Sequence, residues 1–279
     1  MMVHITINIK TFFIFISFLT FYFVYLVSIS STDNKHKIVV SDKKVKDHKF
    51  RNWYDYKLVE KDNQRIGVGE LGARVFLSDP NEISLNEKLY QETGFAVVIS
   101  DKISVNRSLP QVVHLNCTKF KYFSHLPNVS IVIIFHNEVK SVLLRTVHSV
   151  VNRTPSALLH EIILVNDNSS SLELYEPLVS YVAENFRTTN VKIKNMKKRS
   201  GLIVARMVGA RMATGEVLVF FDSHVEVQFN WLPPLLQPIV NNRRIATLPI
   251  IDYFSAEDFS YLEGQESFQG ERFDTLNFI

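Results

Sequence analysis

The chain has 279 residues, of which 46% are apolar and 12% aromatic, and this composition is typical of a globular protein with one substantial core. Its net charge of +3 comes mainly from residues 35–65, so no arginine-rich face of the kind that binds nucleic acid is present. Cys117 is the single cysteine, which makes it either a buried thiol or half of a pair whose partner is absent.

The first predicted element is a transmembrane anchor at residues 11–32, which follows a cytoplasmic tail at residues 1–10. The anchor segment is uncharged, and about 20 such residues cross a bilayer as a helix. A cleaved signal peptide is the alternative, because Ser28 and Ser30 suit a cleavage site, although the apolar run exceeds the usual ~7–15 residues. Most nearby lysines follow the run, and the positive-inside rule then favours the opposite orientation. Other features must decide the orientation.

A solvated stem is predicted at residues 33–66, which are rich in Lys and Asp and contain no Gly or Pro. The globular domain is expected to occupy residues 67–279. It contains Asn-x-Ser/Thr sequons, which are glycosylation acceptors only if the domain is lumenal. The sequons begin at Asn106, Asn116, Asn128, Asn152 and Asn168.

Short apolar runs alternate with stretches of helical periodicity from residue 130 onward. The apolar runs are residues 130–135, 161–166, 191–193 and 217–222, and the helical stretches are residues 143–151, 172–186, 202–213 and 231–240. Continuous apolar strands between amphipathic helices predict a mostly parallel sheet that is covered on both faces. The fold class is therefore α/β.

Three of these predicted strands end in polar residues. Ligands of open α/β sheets bind at the carboxyl ends of the strands, so these residues are candidates for a binding site. The three groups are residues 136–138, 166–168 and 222–226. Ordinary helix capping is the alternative, since Asn137, Asp167 or Ser223 could cap the helix that follows. We expect Asp167 and Asp222 to lie in one cleft because adjacent parallel strands end together.

Asp222 and His224 form a candidate metal site. Asp222 follows a run of five apolar residues, and a residue two positions further along an extended chain points to the same side. A carboxylate and an imidazole suit a divalent metal such as manganese. The alternative is that His224 is an ordinary polar residue at a strand end.

Other common catalytic motifs are absent from the sequence. It contains no P-loop, dinucleotide-binding glycine motif, GxSxG elbow, HExxH zinc motif or CxxC pair. Glycoside hydrolysis stays open, because a pair of carboxylates at the required separation cannot be read from sequence.

The ordered motifs of the chain resemble those of the polypeptide N-acetylgalactosaminyltransferases from about Tyr90 to Pro249. They are DxIxxxRxLP at 101–110, FHNE at 135–138, SxLLRTVxSVxNRxP at 141–155, EIxLVxDxS at 161–169, RxGLxxARxxGAxxAxG at 199–215, FxDSHxE at 220–226, WLxPLL at 231–236 and PIID at 249–252. The resemblance implies a GT-A-type nucleotide-sugar-binding fold.

It also implies UDP-N-acetylgalactosamine as donor, Mn²⁺ as cofactor, and Ser or Thr hydroxyls of proteins as acceptors. The implied donor-binding residues are His136, Asp167, Arg199, Gly201 and Ser223, and the implied metal ligands are Asp222 and His224. The family's type II anchor implies that residues after 32 lie in the Golgi lumen.

Several positions depart from the family pattern. Val225 stands where a Cys is usual, and Asn166 replaces the first Asp of a pair. Residues 270–278 lose the second Gly, the first Phe and the Trp of a GGFxWxLxF motif. The resemblance further implies a third metal ligand, a lid, a partner for Cys117 and a lectin module beyond Ile279. On that basis we expect an incomplete domain that binds Mn²⁺–UDP weakly and transfers no sugar, with its catalytic residues unknown. A transferase for another UDP-sugar and a non-catalytic protein are the alternatives.

Overall fold

The computed structural model describes residues 25–27, 49–249 and 251–262. The strands in this part are β1 (Tyr25–Val27), β2 (Phe50–Arg51), β3 (Tyr122–Phe123), β4 (Val129–Phe135), β5 (Leu159–Asn166), β6 (Val191–Asn195), β7 (Val217–Asp222), β8 (Tyr253–Phe254) and β9 (Tyr261–Leu262). The α-helices are α1 (Tyr56–Asn63), α2 (Pro80–Thr93), α3 (Val97–Lys102), α4 (Leu115–Thr118), α5 (Lys140–Arg153), α6 (Glu176–Asn185), α7 (Leu202–Met212) and α8 (Leu232–Asn241). Short 3-10 turns lie at Glu70–Gly72 and Leu172–Leu174.

The main sheet has the strand order β1-β7-β4-β5-β6. Strands β7, β4, β5 and β6 run parallel, and β1 pairs with β7 in the antiparallel direction. Every residue of β4 is buried. This is expected of a central parallel strand with helices on both faces. The predicted α/β fold with a mostly parallel sheet is confirmed.

Helices pack on both faces of this sheet. On one face, side chains of α5, α6 and α8 join a core that includes Ile131 and Ile133 of β4. On the other face, α7 packs over Val132 and Ile134. Helix α7 approaches closely, since a Cβ added to Gly209 would lie 2.2 Å from a Val132 methyl. A glycine is therefore needed at this crossing.

Strand β1 falls within the predicted transmembrane anchor. Its three residues pair with Val217–Asp222 as an edge strand, whereas the prediction for residues 11–32 was a helix. Pairing satisfies backbone groups that an open sheet edge leaves exposed. The other anchor residues, the tail at 1–10 and stem residues 33–48 lie outside the described residues. No helix among the described residues has the length and apolar character of a membrane span.

The folded domain begins earlier than the predicted boundary at residue 67. Strand β2 pairs with β3, and Trp53 is buried in the main core, where its Nε1 donates to the Phe123 carbonyl at 2.9 Å. Asp62 of α1 forms an ion pair with Arg153 of α5. Ordered structure therefore extends into the predicted stem, because a few apolar side chains among the charges are enough to dock this segment.

Cys117 lies in α4, and its side chain is exposed. Of the two interpretations of this cysteine, the buried thiol is therefore wrong. The interpretation as half of a pair stays a prediction.

Candidate functional site

The carboxyl ends of β7, β4 and β5 meet at one edge of the sheet. Asp222 lies opposite Ile134 in the register, and Asn166 lies opposite Phe135. The segments that follow these strands therefore leave the sheet side by side. All three polar groups that the sequence singled out begin at this edge, as parallel strands require.

A cavity of about 410 Å³ lies beside the end of β7. Asp222 and His224 both line it, although His224 lies in a turn after β7 and not in the extended chain that the prediction assumed. Its other walls come from the junction of α2 and α3, from the loop after β7 and from residues 249–261. Aromatic side chains, including Phe95, Trp231 and Tyr253, supply part of these walls. The cavity thus combines an acid and an imidazole with apolar surroundings.

Asp222 is partly buried at the mouth of β7. Burial raises the pKa of its carboxyl group, and the charges of His224 and Arg206 oppose that rise. The Nη2 atom of Arg206, on α7, lies 3.5 Å from Oδ1 of Asp222. A carboxylate that depends on neighbouring positive charge is a natural ligand for a cation.

Glu138 connects the end of β4 to the loop after β7. Its Oε2 atom lies 2.9 Å from Nδ1 of His224 and accepts the hydroxyl of Ser223 at 2.5 Å. Burial raises the pKa of Glu138, but hydrogen bonds from His224, Ser223 and the Val139 amide outweigh burial and hold the pKa below its ordinary value. Glu138 belongs to the polar group that follows β4, but its sequence position alone predicted no specific role for it.

Ser223 does not line the cavity. Its side chain is buried against Glu138, and its carbonyl accepts the hydroxyl of Thr146 at 2.9 Å. The same Thr146 hydroxyl accepts the Val225 amide at 2.9 Å. The predicted donor contact of Ser223 therefore stays a prediction, whereas its packing fixes the backbone on both sides of His224.

Asp167 lies at the same sheet edge but is turned toward the start of α7. Its two carboxylate oxygens accept the backbone amides of Ser200 and Gly201, each at 2.8 Å. Asp167 is 3% exposed and is not among the residues that line the cavity with Asp222. The expectation that both acids face one cleft therefore stays a prediction. Amides at a helix start attract a carboxylate strongly, which explains its orientation.

The other predicted donor-binding residues surround Asp167. The Nδ1–H of His136 donates to the Asp167 carbonyl at 2.9 Å. Gly201 has a φ of 84° and leads into α7, while the side chain of Arg199 is exposed just before it. The structure thus brings His136, Asp167 and Gly201 together, and it places Asp222, Ser223 and His224 in a second group near Glu138.

A sequence model described as glycosyl transferase family 2 matches residues 130–278, which is more than half of the chain. The matched region includes both groups of site residues and the sheet that carries them. The chain belongs to glycosyl transferase family 2. The mostly parallel sheet with polar residues at its carboxyl edge agrees with this assignment.

Within family 2, the chain is 47% identical over 220 residues to N-acetylgalactosaminyltransferase 6 of Drosophila melanogaster, covering 79% of this chain and 33% of that protein. It is also 47% identical over 213 residues to human polypeptide N-acetylgalactosaminyltransferase 10, covering 76% of this chain and 34% of that protein. The chain spans about a third of the length of these relatives. A crystal structure of GalNAc-T7 with UDP, GalNAc and Mn²⁺ matches with a TM-score of 0.70 and 34% identity, covering 78% of this chain and 41% of that one.

The family 2 domain presents two side chains suited to a divalent metal. Asp222 and His224 offer oxygen and nitrogen in one cavity, which fits a borderline ion such as manganese. Among the described residues, no group of three or more His, Cys, Asp or Glu side chains could hold a metal. The donor set in this part of the chain therefore leaves positions for oxygens of a ligand or of water.

Proposed function

We propose that this chain provides the donor-binding part of a transferase that moves N-acetylgalactosamine from UDP-N-acetylgalactosamine to Ser or Thr hydroxyls of proteins. The observation that carries the proposal is the position of Asp222 and His224 at the end of β7, in one cavity. The similarity to N-acetylgalactosaminyltransferases supports the choice of donor and acceptor.

Asp222 and His224 would hold Mn²⁺. When bound, the ion would neutralise charge on the diphosphate as the bond to the sugar breaks. Burial of Asp222 favours this role, because a partly desolvated carboxylate gains more from a nearby cation than an exposed one does. In the structure, the guanidinium of Arg206 supplies positive charge beside the Asp222 carboxylate.

The residues around Asp167 would hold the nucleoside end of the donor. The backbone amides of Ser200 and Gly201 are positioned by the Asp167 carboxylate at the start of α7, and His136 is positioned by the Asp167 carbonyl. Arg199 is exposed beside this loop and can approach a negatively charged ligand. Ser223, buried against Glu138, supports the backbone next to the metal ligands.

We also propose that residues 11–32 anchor the protein in the Golgi membrane as a single-pass type II protein with the domain in the lumen. The uncharged apolar run and the sequons support this localisation. A transferase that glycosylates proteins of the secretory pathway would meet its acceptors there.

A donor-binding protein without transfer activity is the second candidate. This second candidate is favoured by the small number of metal-binding side chains. The described residues offer Asp222 and His224 but no group of three or more such side chains. A less firmly held ion would be less well aimed at the leaving diphosphate.

The test uses the full chain solubilised in detergent. Calorimetry should show that UDP binds with Mn²⁺ present and binds at least tenfold more weakly in Asp222→Asn, whereas Asp101→Asn, the same change at an exposed helical site, has no effect. Competition among UDP-GalNAc, UDP-GlcNAc, UDP-Gal and UDP-Glc then identifies the donor. A Ser/Thr-rich peptide reports transfer. Absence of Mn²⁺-dependent UDP binding by the unaltered chain would refute the proposal, and binding without transfer would select the second candidate.

A further inference from the structure

The His224 ring is held on one side by a buried carboxylate. The side chain of Glu138 is 9% exposed, and its Oε2 atom lies 2.9 Å from Nδ1 of His224. The ring centroid of Phe95 lies 5.6 Å from that of His224. These two neighbours restrict rotation of the imidazole about its Cβ–Cγ bond.

Glu138 can act only as an acceptor in this arrangement. Its Oε2 receives the Ser223 hydroxyl, and its Oε1 receives the Val139 amide at 3.0 Å. An ionised carboxylate has no proton to donate, so the proton between it and His224 belongs to Nδ1. A neutral imidazole carries one N–H, and its Nε2 then has the lone pair.

We propose that Glu138 is a positioning residue that selects the Nδ1–H tautomer of His224 and thereby makes Nε2 the nitrogen that binds the metal. The part of this inference that concerns metal rests on the proposed function. Without an acceptor at Nδ1, an imidazole in water favours the Nε2–H tautomer, which cannot bind a metal through Nε2. Glu138 therefore acts on the metal through His224 and does not touch it.

The backbone of the same loop is fixed by a different residue. Thr146 donates to the Ser223 carbonyl and accepts the Val225 amide, so it holds the backbone on both sides of His224. Glu138 holds the two side chains. Because the roles are divided between two residues, Thr146→Val is a matched control that disturbs the loop without touching the imidazole.

The tautomer is read directly by NMR. Long-range ¹H–¹⁵N correlation of the ¹⁵N-histidine-labelled full chain without metal, with His224 assigned from its loss in His224→Gln, should show Nδ1 protonated and Nε2 unprotonated. In Glu138→Met the pattern should shift toward Nε2–H, and in Thr146→Val it should be retained although the melting temperature falls. An Nε2–H pattern in the unaltered chain would overturn the inference even if Glu138→Met failed to fold.

Manganese binding provides the second measurement. Electron paramagnetic resonance titration in the presence of UDP should show Mn²⁺ affinity reduced about 10–100-fold in Glu138→Met. Glu87→Met, the same change at an exposed helical position, should leave the affinity unchanged. Equal affinity and an unchanged tautomer in Glu138→Met would overturn the inference and leave the proposed function intact. An Nδ1–H tautomer in a chain that binds no Mn²⁺ would support the selection by Glu138 and contradict the proposed function.

Discussion

Arg107 and Glu226 form an ion pair that is closed to solvent. The guanidinium donates to both carboxylate oxygens, with the shortest distance 2.7 Å, and also to the Phe259 carbonyl. The pKa of Glu226 is lowered because the charge and hydrogen bonds of Arg107 outweigh burial. Glu226 lines the cavity two residues after His224, so this pair ties the loop after β7 to the segment before the sheet.

Loss of one partner of this pair should be strongly destabilising. Arg107→Met leaves the Glu226 carboxylate buried without its main partner, which typically costs ~3–5 kcal/mol. The free energy of unfolding, measured by urea denaturation, reports the loss. Arg74→Met removes the partly exposed Arg74–Asp258 ion pair and should cost less than ~1 kcal/mol. The double variant Arg107→Met/Glu226→Leu should recover much of the stability, and an equal loss in both arginine variants would contradict this expectation.

Asp167→Asn should weaken UDP binding by disturbing the loop before α7. The amide has one oxygen and one NH₂ group, so it cannot accept both the Ser200 and Gly201 amides as the carboxylate does. We expect a loss of about 10–100-fold in UDP affinity, since one charge-assisted hydrogen bond is typically worth ~1.5–3 kcal/mol and about 1.4 kcal/mol is a factor of ten. Calorimetry with Mn²⁺–UDP measures it. Asp101→Asn, the same change at an exposed helical position, is the control.

Gly209→Ala should push α7 away from β4. Its new Cβ would lie 2.2 Å from Cγ1 of Val132, well inside contact distance. Overpacking of this kind typically costs ~1–3 kcal/mol, so the melting temperature should fall. The double variant Gly209→Ala/Val132→Ala should regain part of the loss, because it removes the methyl group that clashes. If the double variant is less stable than Gly209→Ala by the full cost of Val132→Ala alone, the two sites do not interact.

His148 should make the protein less stable in mild acid. Burial lowers its pKa to about 4, from an ordinary value near 6.5, and its Nε2 lies 2.9 Å from the Tyr181 hydroxyl. Because the folded pKa is the lower one, protonation favours unfolding. The stabilisation of the fold by neutral His148 is therefore complete above pH ~6.5. It is lost as the pH falls toward 4, and the free energy of unfolding then decreases by up to ~1.4 kcal/mol per pH unit.

The measurement is the free energy of unfolding between pH 7.5 and 4 for the unaltered chain and for His148→Gln. The variant should show a flatter dependence on pH across this window. His160→Gln, which removes an exposed imidazole, is the control and should leave the slope unchanged. A slope that is the same in all three proteins would show that His148 does not contribute.

Local sequence patterns were enough for the sheet and, only in part, for one pair of site residues. The apolar run of β4 predicted a buried parallel strand because each of its residues faces a helix layer. Asp222 and His224 do line one cavity, but residues 223 and 224 form a turn and not the extended chain on which that prediction relied.

Contacts between distant segments were not predictable in the same way. Glu138, which follows β4, contacts residues 223 and 224, which follow the neighbouring strand β7. No spacing within the sequence reveals that contact. The turn of Asp167 toward residues 200 and 201 depends on where α7 begins in space. The docking of Trp53 was hidden because its neighbours are charged or polar.

The three residues of β1 belong both to the sheet edge and to the proposed membrane anchor. Tyr25–Val27 hydrogen-bonds to Leu218–Phe220 at the sheet edge in the structure, yet these residues would lie within the bilayer if residues 11–32 form the proposed anchor. The two arrangements exclude each other. Insertion into the membrane would therefore leave the backbone of β7 unpaired along one side, and β7 would become a strand edge open to another partner.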